Sequence, residues 1–323
     1  MNNKFNLLFR NKAFLLRGVG ITLFFVVTFQ FAFSQKVIRE IAEKDLIPEG
    51  ITYSYVRNSF FISSILKNKI IEVSKTGIRD FIKNGEDGFM GGVGLHIDEK
   101  RQVLWACSGN IMGEKFRTGL FAYNLNTGKL IKKILYPITN TPTLFNDLVI
   151  DNSGQLYITN TMDNSIWKWN LKMNEPEKLP IKEEIKRPNG IILSPDEKFI
   201  FVATIQGIMR ITVANYQCQL LHMADDYYSK ELDGLGFYKN CIYGVHDEGV
   251  VKFSLSGPLD SVTNISVIEK NNKYFESPTT LVIHNSKLYV LPNSQLNNLD
   301  QKNLVIKNRK KLKKSVIIEY DLD

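Results

Sequence analysis

Short runs of alternating apolar and polar residues recur along the chain from residue 36 onwards. The runs are rich in β-branched and aromatic residues, are separated by Gly, Asn, Asp and Pro, and show almost no 3.6-residue periodicity. A period of two places the apolar side chains on one face of a strand, and the intervening residue types favour turns. The pattern therefore predicts an all-β fold from residue 36 to the end of the sequence.

Six segments repeat the same arrangement at intervals of 43 to 53 residues. Each begins with a short polar or glycine-containing motif, called here the start motif, and continues as three or four apolar runs. The start motifs are Glu49-Gly50-Ile51, Val93-Gly94-Leu95, Asn146-Asp147-Leu148, Asn189-Gly190-Ile191, Asp233-Gly234-Leu235 and Thr279-Thr280-Leu281. A period of about 45 residues with four strands per repeat is typical of propeller blades. We therefore predict a six-bladed β-propeller, because two flat sheets or a β-sandwich would not explain six similar start motifs.

The sixth repeat supplies only three strands before the sequence ends, while a strand-like run from Lys36 to Ala42 precedes the first repeat. We expect this N-terminal run to be the outer strand of the sixth blade. That pairing would close the ring and cover an otherwise exposed sheet edge.

Residues 1–34 are typical of an export signal. Their basic residues are Lys4, Arg10, Lys12 and Arg17, an apolar run extends from Val19 to Phe33, and Ala32-Phe33-Ser34 offers a cleavage site before Gln35. The apolar run is shorter than the roughly 20 residues that a spanning helix needs. We expect an exported protein, periplasmic or secreted, with residues 35–323 as the propeller domain. An uncleaved N-terminal anchor is the alternative.

The positive charge of the sequence is local. Without residues 1–34 the formal net charge of +8 falls to +4, and seven Lys and Arg residues without any acid lie between Gln301 and Lys314. The remainder is slightly acidic, which argues against a nucleic-acid-binding face spread over the fold. The three cysteines, Cys107, Cys218 and Cys241, are too few for a disulfide scaffold, and we expect buried, inert thiols.

The first residues of the six start motifs are expected to meet at one place, because the innermost strands of a propeller begin beside the central channel on a common face. Around the ring these residues are Glu49, Val93, Asn146, Asn189, Asp233 and Thr279. Two carboxylates and two carboxamides brought together need a counter-charge. Oxygen-only ligands favour one hard divalent cation, with calcium preferred over zinc, manganese or magnesium. The alternative is that the motifs are only turns, which Asn, Asp and Gly favour.

The start motifs also resemble the metal-site motifs of the gluconolactonase family, which includes regucalcin (senescence marker protein) and has diisopropyl fluorophosphatase and the paraoxonases as distant six-bladed relatives. The resemblance covers Glu49 to Asp323 and is carried by Pro48-Glu49-Gly50, Asn146-Asp147, Pro188-Asn189-Gly190 with Ser194-Pro195-Asp196, and Leu232-Asp233-Gly234. It implies that Glu49, Asn189 and Asp233 bind the metal directly. It further implies that Asn146 is a ligand or a substrate contact, and that the activity is hydrolysis of a lactone, ester or phosphotriester.

Three residues are candidates for the remaining chemistry. Asp233 is the first catalytic candidate, as a base or a nucleophile, and its alternative role is ligand only. His246 ends the second strand of blade 5 and is the second catalytic candidate, while His96, in the inner strand of blade 2, is a candidate for substrate binding. A structural role is the alternative for each histidine. Blade 2 offers Val93 and no match to the residues that bind sugar lactones in relatives, so gluconolactone itself is not favoured.

Two functions remain open from the sequence. The first is an exported, monomeric, metal-dependent hydrolase that acts on a small-molecule lactone or ester by Lewis-acid activation at a calcium-like ion. The second is a non-catalytic, metal-stabilised propeller that binds a sugar, peptide or envelope partner. The basic loop, Ser294 to Lys314, is expected on the metal-bearing face, either as a lid or attractant for anionic substrates or as a solvated insertion.

Overall fold

The alternating runs form antiparallel sheets in the order in which they occur. A computed structural model describes residues 35–110, 116–136, 138–223, 231–300 and 303–323, so the proposed leader, residues 1–34, lies outside the described residues. Within these ranges the chain forms 27 β-strands and three one-turn 3-10 helices, Glu86–Gly88, Leu296–Asn298 and Arg309–Lys311. No helix in the described ranges has the length and apolarity that crossing a membrane requires.

Strand β1 (Gln35–Ile41) precedes three consecutive four-stranded blades. Blade 1 consists of β2 (Pro48–Ser54), β3 (Ser59–Ser64), β4 (Lys69–Ser74) and β5 (Ile78–Ile82). Blade 2 consists of β6 (Gly91–Asp98), β7 (Val103–Asn110), β8 (Arg117–Asn124) and β9 (Leu130–Leu135). Blade 3 consists of β10 (Phe145–Ile150), β11 (Leu156–Asn160), β12 (Ser165–Trp169) and β13 (Glu177–Lys178).

Three further blades complete the ring. Blade 4 consists of β14 (Ile191–Leu193), β15 (Phe199–Thr204), β16 (Gly207–Thr212) and β17 (Cys218–Leu220). Blade 5 consists of β18 (His222–Met223), β19 (Leu235–Tyr238), β20 (Cys241–His246), β21 (Gly249–Leu255) and β22 (Ser261–Lys270). Blade 6 contains β23 (Thr280–His284) and β24 (Lys287–Leu291), followed by a small ribbon of β25 (Leu299–Asp300) and β26 (Val305–Ile306), and then β27 (Ser315–Asp321).

The N-terminal strand closes the ring. β1 pairs antiparallel with β27, with Lys36 opposite Glu319 and Glu40 opposite Val316, and so becomes the outer strand of blade 6. The pairing satisfies the backbone groups of β27 that would otherwise form an open sheet edge. The predicted six-bladed propeller and its mode of closure are both confirmed.

One apolar run is divided between two blades. The run Gln219 to Met223 begins in β17 of blade 4 and is interrupted at Leu221. Leu221 is buried in the core between blades 4 and 5, and β18, which follows it, pairs in parallel with β22 of blade 5. The buried Leu221 thus lies where the chain passes from blade 4 to blade 5, and blade 5 has five strands.

Each pair of neighbouring blades encloses its own hydrophobic core. Between blades 2 and 3, for example, Trp105 and Trp169 are fully buried, and their rings meet edge to face with centroids 5.4 Å apart. All three cysteines are buried and unbridged, as predicted. Burial raises the pKa of the Cys107 thiol, which favours its unreactive, protonated form.

Candidate metal and active site

Five of the six residues that begin the start motifs line one cavity: the apolar Val93 and four residues with oxygen-bearing side chains. Glu49 and Asn146 are the second residues of β2 and β10, whereas Asn189 and Asp233 each lie two residues before β14 and β19. All four line a cavity of about 590 Å³, and all four also line a narrow space of about 20 Å³ among the inner strands. The fold thus brings together four oxygen-bearing side chains from four different blades.

Hydrogen bonds between neighbouring blades hold the start motifs in place. The Gly190 N–H donates to the carbonyl oxygen of Asp233 at 3.0 Å, and the Gly234 N–H donates to that of Thr279 at 2.9 Å. The hydroxyl of Thr279 in turn donates to the carbonyl oxygen of Glu49 at 2.7 Å. Two of these bonds are accepted by the backbone carbonyl oxygens of Asp233 and Glu49. They therefore fix the backbone positions from which the two carboxylate side chains extend.

Glycines occur in the start motifs because neighbouring inner strands approach each other closely there, and not because the backbone forms a turn. A Cβ on Gly190 would meet the carbonyl oxygen of Asp233, and a Cβ on Gly50 would meet that of Val93. Neither glycine has a positive φ. The alternative that these motifs are only turns is therefore wrong at these two positions, where the absence of a side chain lets neighbouring inner strands approach each other.

Asp147 belongs to the same group of residues, although sequence reasoning gave it no role. It occupies the position that is glycine in blades 1, 2, 4 and 5, and that difference was the signal available in the sequence. Its Oδ2 accepts a hydrogen bond from the Ile191 N–H at 3.2 Å, and its own N–H donates to the Thr159 hydroxyl at 3.0 Å. Burial raises the pKa of Asp147 to about 7.

Negative charges within the carboxylate cluster raise the pKa of Glu49 and of Asp233. Burial holds the pKa of Glu49 well above its usual value, and the charges of Asp233 and Asp147 raise it further. Burial and the charge of Asp147 likewise raise the pKa of Asp233, against the opposite effect of a hydrogen bond with Asn189. Such repulsion disfavours three ionised groups unless a positive charge lies among them.

The described residues provide no such positive charge. Arg187 is the one described basic residue that lines the cavity, and its Nε lies 3.6 Å from Glu231 instead. Among the described ion pairs, none includes Glu49, Asp147 or Asp233. When its carboxylates are ionised, the cluster therefore has no cationic partner within the described part of the chain.

The donor set fits a hard divalent cation. Two carboxylates and two carboxamides supply oxygen ligands, which suit calcium better than metals that prefer sulfur or imidazole. The Asn146 amide nitrogen donates to Thr161 at 2.9 Å, which leaves the amide oxygen for another partner. No cluster of three or more His, Cys, Asp or Glu with metal-site geometry occurs in the described part of the chain. A cation here would therefore depend on the two carboxamides as well as on the carboxylates.

Thr161 is a second residue that sequence reasoning missed. Its hydroxyl accepts the hydrogen bond from Asn146 and donates one to the carbonyl oxygen of Pro188 at 2.6 Å. Thr161 therefore connects Asn146 on blade 3 with the residue that precedes Asn189 on blade 4. A threonine directly after a strand gives no signal of this role in the sequence.

The two candidate histidines lie outside the 590 Å³ cavity. His246 is buried at the end of β20, does not line that cavity, and its Nδ1 accepts a hydrogen bond from the Glu248 N–H at 3.2 Å. His96 lines a separate space of about 200 Å³ formed by the inner strands of all six blades, which is the central channel. Burial lowers the pKa of His96 to about 4, so this side chain is neutral at physiological pH.

The basic loop is packed and forms part of the cavity wall. Leu299 and Leu312 form a small core with Ile47, and Leu296 packs against it. Leu296 and Leu299 also line the cavity that contains Glu49. Three of the basic side chains form ion pairs with carboxylates. The nitrogen–oxygen distances are 3.1 Å for Arg309 and Asp45, 2.9 Å for Lys313 and Glu276, and 2.9 Å for Lys314 and Glu40. The loop thus lies on the face predicted for it, as a fixed wall.

Comparison with known families gives one match over more than half of the chain. The family model described as SMP-30/Gluconolactonase/LRE-like region matches residues 47–223, a range that includes Glu49, Asn146 and Asn189. A search of curated proteins gives no significant match.

Solved structures with low sequence identity share the fold. A luciferin-regenerating enzyme aligns with a TM-score of 0.61 at 10% identity, over 90% of this chain and 95% of its own. A calcium-binding protein, regucalcin, from Agrobacterium tumefaciens aligns with a TM-score of 0.58 at 14% identity, over 88% and 94%. A catalytically inactive virginiamycin B lyase from Staphylococcus aureus with quinupristin aligns with a TM-score of 0.62 at 14% identity, over 90% and 100%. At these identities the likeness establishes the fold alone.

Proposed function

Because the chain belongs to the SMP-30/gluconolactonase/LRE-like family, we propose that it is a metal-dependent hydrolase that opens a lactone or cleaves a related ester. The observation that carries the proposal is the convergence of Glu49, Asn146, Asn189 and Asp233 on one cavity without a described cationic partner. Among proteins of the same fold, regucalcin is described as calcium-binding, which supports a divalent cation at this place.

Glu49, Asn189 and Asp233 would hold the ion, with Asn146 as a further ligand or a substrate contact. Calcium is the first choice because all the donors are oxygen atoms. When bound, a divalent cation polarises the substrate carbonyl and stabilises the negative charge that develops on its oxygen.

The protein's own residues would supply positioning and proton transfer. Asp233 accepts a proton from the attacking water, whose oxygen bonds to the acyl carbon. The bond from the acyl carbon to the leaving oxygen then breaks, that oxygen takes up a proton, and a lactone yields a hydroxy acid. Asn189 orients Asp233 through their hydrogen bond, and Thr161 orients Asn146 in the same way.

We also propose that the protein acts outside the cytoplasm, as a monomer that lacks residues 1–34. The basic and apolar halves of that segment, and the small residues before Gln35, support this part of the proposal.

The test combines metal analysis with an activity panel. Purified protein is dialysed against a chelator, reloaded with calcium or another divalent metal, and assayed on lactones, aryl esters and phosphotriesters. We expect about one bound ion per chain and metal-dependent turnover. Asp233→Asn should fold normally and lose at least about 100-fold in kcat, the usual scale of a general base. Glu183→Gln, a carboxylate-to-amide change at an exposed position, is the matched control and should keep full activity.

Two results would contradict the proposal. Full activity of Asp233→Asn would remove the assigned catalytic role of the cluster. A bound ion with no turnover on any substrate of the panel would instead favour a non-catalytic propeller that the metal stabilises and whose loops bind a sugar, peptide or envelope partner.

A further inference from the structure

The cavity beside the candidate ligands is large, and its wall is mostly apolar. A volume of about 590 Å³ is typical of sites for small organic molecules. Eight of the fifteen described residues that line it are apolar. They include Val93 of β6, Ile65 directly after β3 and Leu144 directly before β10. Met162 follows β11, and Leu296 and Leu299 belong to the basic loop.

Few polar side chains other than the candidate ligands lie on this wall. Apart from the four candidate ligands, the described polar residues are Thr161, Asn164 and Arg187. Thr161 is hydrogen-bonded to Asn146 and to Pro188, and the Asn164 Oδ1 accepts a hydrogen bond from the backbone N–H of Arg187 at 2.8 Å. The Arg187 guanidinium lies 3.6 Å from the Glu231 carboxylate. A substrate with many hydroxyl groups would lose its hydrogen bonds with water here and gain few in return.

The apolar part of the wall is held in place before any substrate binds. Leu299 packs in the small core with Ile47 and Leu312. The Lys313 N–H donates to the Gln295 side-chain oxygen at 2.8 Å, which ties the two ends of the basic loop together. Binding therefore does not have to order this loop, and less conformational entropy is lost.

We infer that the cavity binds the apolar side chain of an alkyl- or aryl-substituted lactone or ester and disfavours polyhydroxylated sugar lactones. The inference rests on the proposed function and adds the substrate class. Hydrolysis itself is unchanged: water adds to the acyl carbon and the ring C–O bond breaks. Each methylene group buried against the wall should raise kcat/KM by about fourfold until the cavity is full.

The test compares substrates that differ only in apolar surface. The calcium-loaded protein is assayed on γ-lactones from the unsubstituted ring to a long unbranched alkyl side chain, and on glucono-δ-lactone. We expect kcat/KM to rise along the series and glucono-δ-lactone to be the poorest substrate, at least about 100-fold below the best alkyl lactone, as expected when buried polar groups are left unpaired.

Two methionine variants provide a matched comparison. Met162 lines the cavity, whereas Met173 does not, and both are half-buried and pack against the core between blades 2 and 3. Met162→Gln should lower kcat/KM for the longest alkyl lactone by about tenfold more than it lowers kcat/KM for the unsubstituted lactone. Met173→Gln should change neither value.

The outcomes separate the two proposals. If kcat/KM for glucono-δ-lactone equals that for the best alkyl lactone, the proposed substrate class is wrong while the hydrolase proposal stands. If no lactone or ester is hydrolysed, the hydrolase proposal fails, and calorimetric titration with the long alkyl lactone tests the cavity separately. If the wild type binds the long alkyl lactone and Met162→Gln binds it more weakly, the proposal of an apolar binding site stands. If the wild type does not bind it, that proposal is overturned.

Discussion

Replacing Gly190 with alanine should disrupt the contact between blades 4 and 5 at the point where two candidate ligands meet. The new Cβ would lie 2.9 Å from the Leu235 nitrogen and 3.0 Å from the Gly234 Cα, and closer still to the carbonyl oxygen of Asp233. All three are backbone atoms, so no change of side-chain rotamer can relieve the clash. The two inner strands must move apart.

The structure allows a rough magnitude for this effect. Inserting a methyl group into a tightly packed region costs about 1–3 kcal/mol of unfolding free energy. The Gly190 N–H bond to the Asp233 carbonyl, 3.0 Å long, would be stretched as well, which costs about 1 kcal/mol more. We therefore expect a loss of roughly 2–4 kcal/mol, and a fall in Tm of roughly 4–16 °C at about 2–4 °C for each kcal/mol.

Urea unfolding in a chelator, followed by circular dichroism, measures this loss. Gly77→Ala is the matched control, because no atom lies within 4 Å of a Cβ at Gly77 and its φ is not positive. That variant should be unchanged or more stable by up to about 1 kcal/mol. Calcium should also raise the Tm of Gly190→Ala less than that of the wild type. If the two variants unfolded at the same urea concentration, the close approach of blades 4 and 5 would be refuted.

Three further predictions concern the carboxylates, the metal and the leader. Burial raises the pKa of Asp147 to about 7. The stability that protonated Asp147 gives the metal-free protein should therefore be fully present below about pH 4 and should be lost as the pH rises through 7, by up to about 4 kcal/mol. Chelator-treated Asp147→Asn should lack the share of this slope that Asp147 contributes, whereas Glu49 and Asp233, whose pKa values burial also raises, keep their shares. A slope equal to that of the wild type in urea titrations would contradict the role of Asp147. Calcium at about 100 times its dissociation constant should stabilise the wild type by about 2.7 kcal/mol but leave Glu49→Gln unaffected in thermal melts. N-terminal sequencing of the exported protein should begin at Gln35, and an intact Met1 would favour the anchor.

The architecture and four of the converging residues could be predicted from the sequence. Alternation of apolar residues reports which side of a strand is buried, and that property depends only on neighbouring residues. Repetition of the pattern places equivalent residues at equivalent positions of successive blades, so Glu49, Asn189 and Asp233 had to lie on one face of a ring. The outer strand of blade 6 followed from the missing fourth strand of the sixth repeat.

Only the tertiary structure decided which groups surround these residues. It placed Asp147 in the cluster, connected Asn146 to blade 4 through Thr161, and put His96 in the central channel and His246 away from the cavity that Glu49 lines. It also made Leu296 and Leu299 part of the cavity wall. The physical reason is that side-chain charge, pKa and substrate contact depend on distances between residues far apart in the chain. A local pattern of polarity carries no information about those distances until the blades have packed.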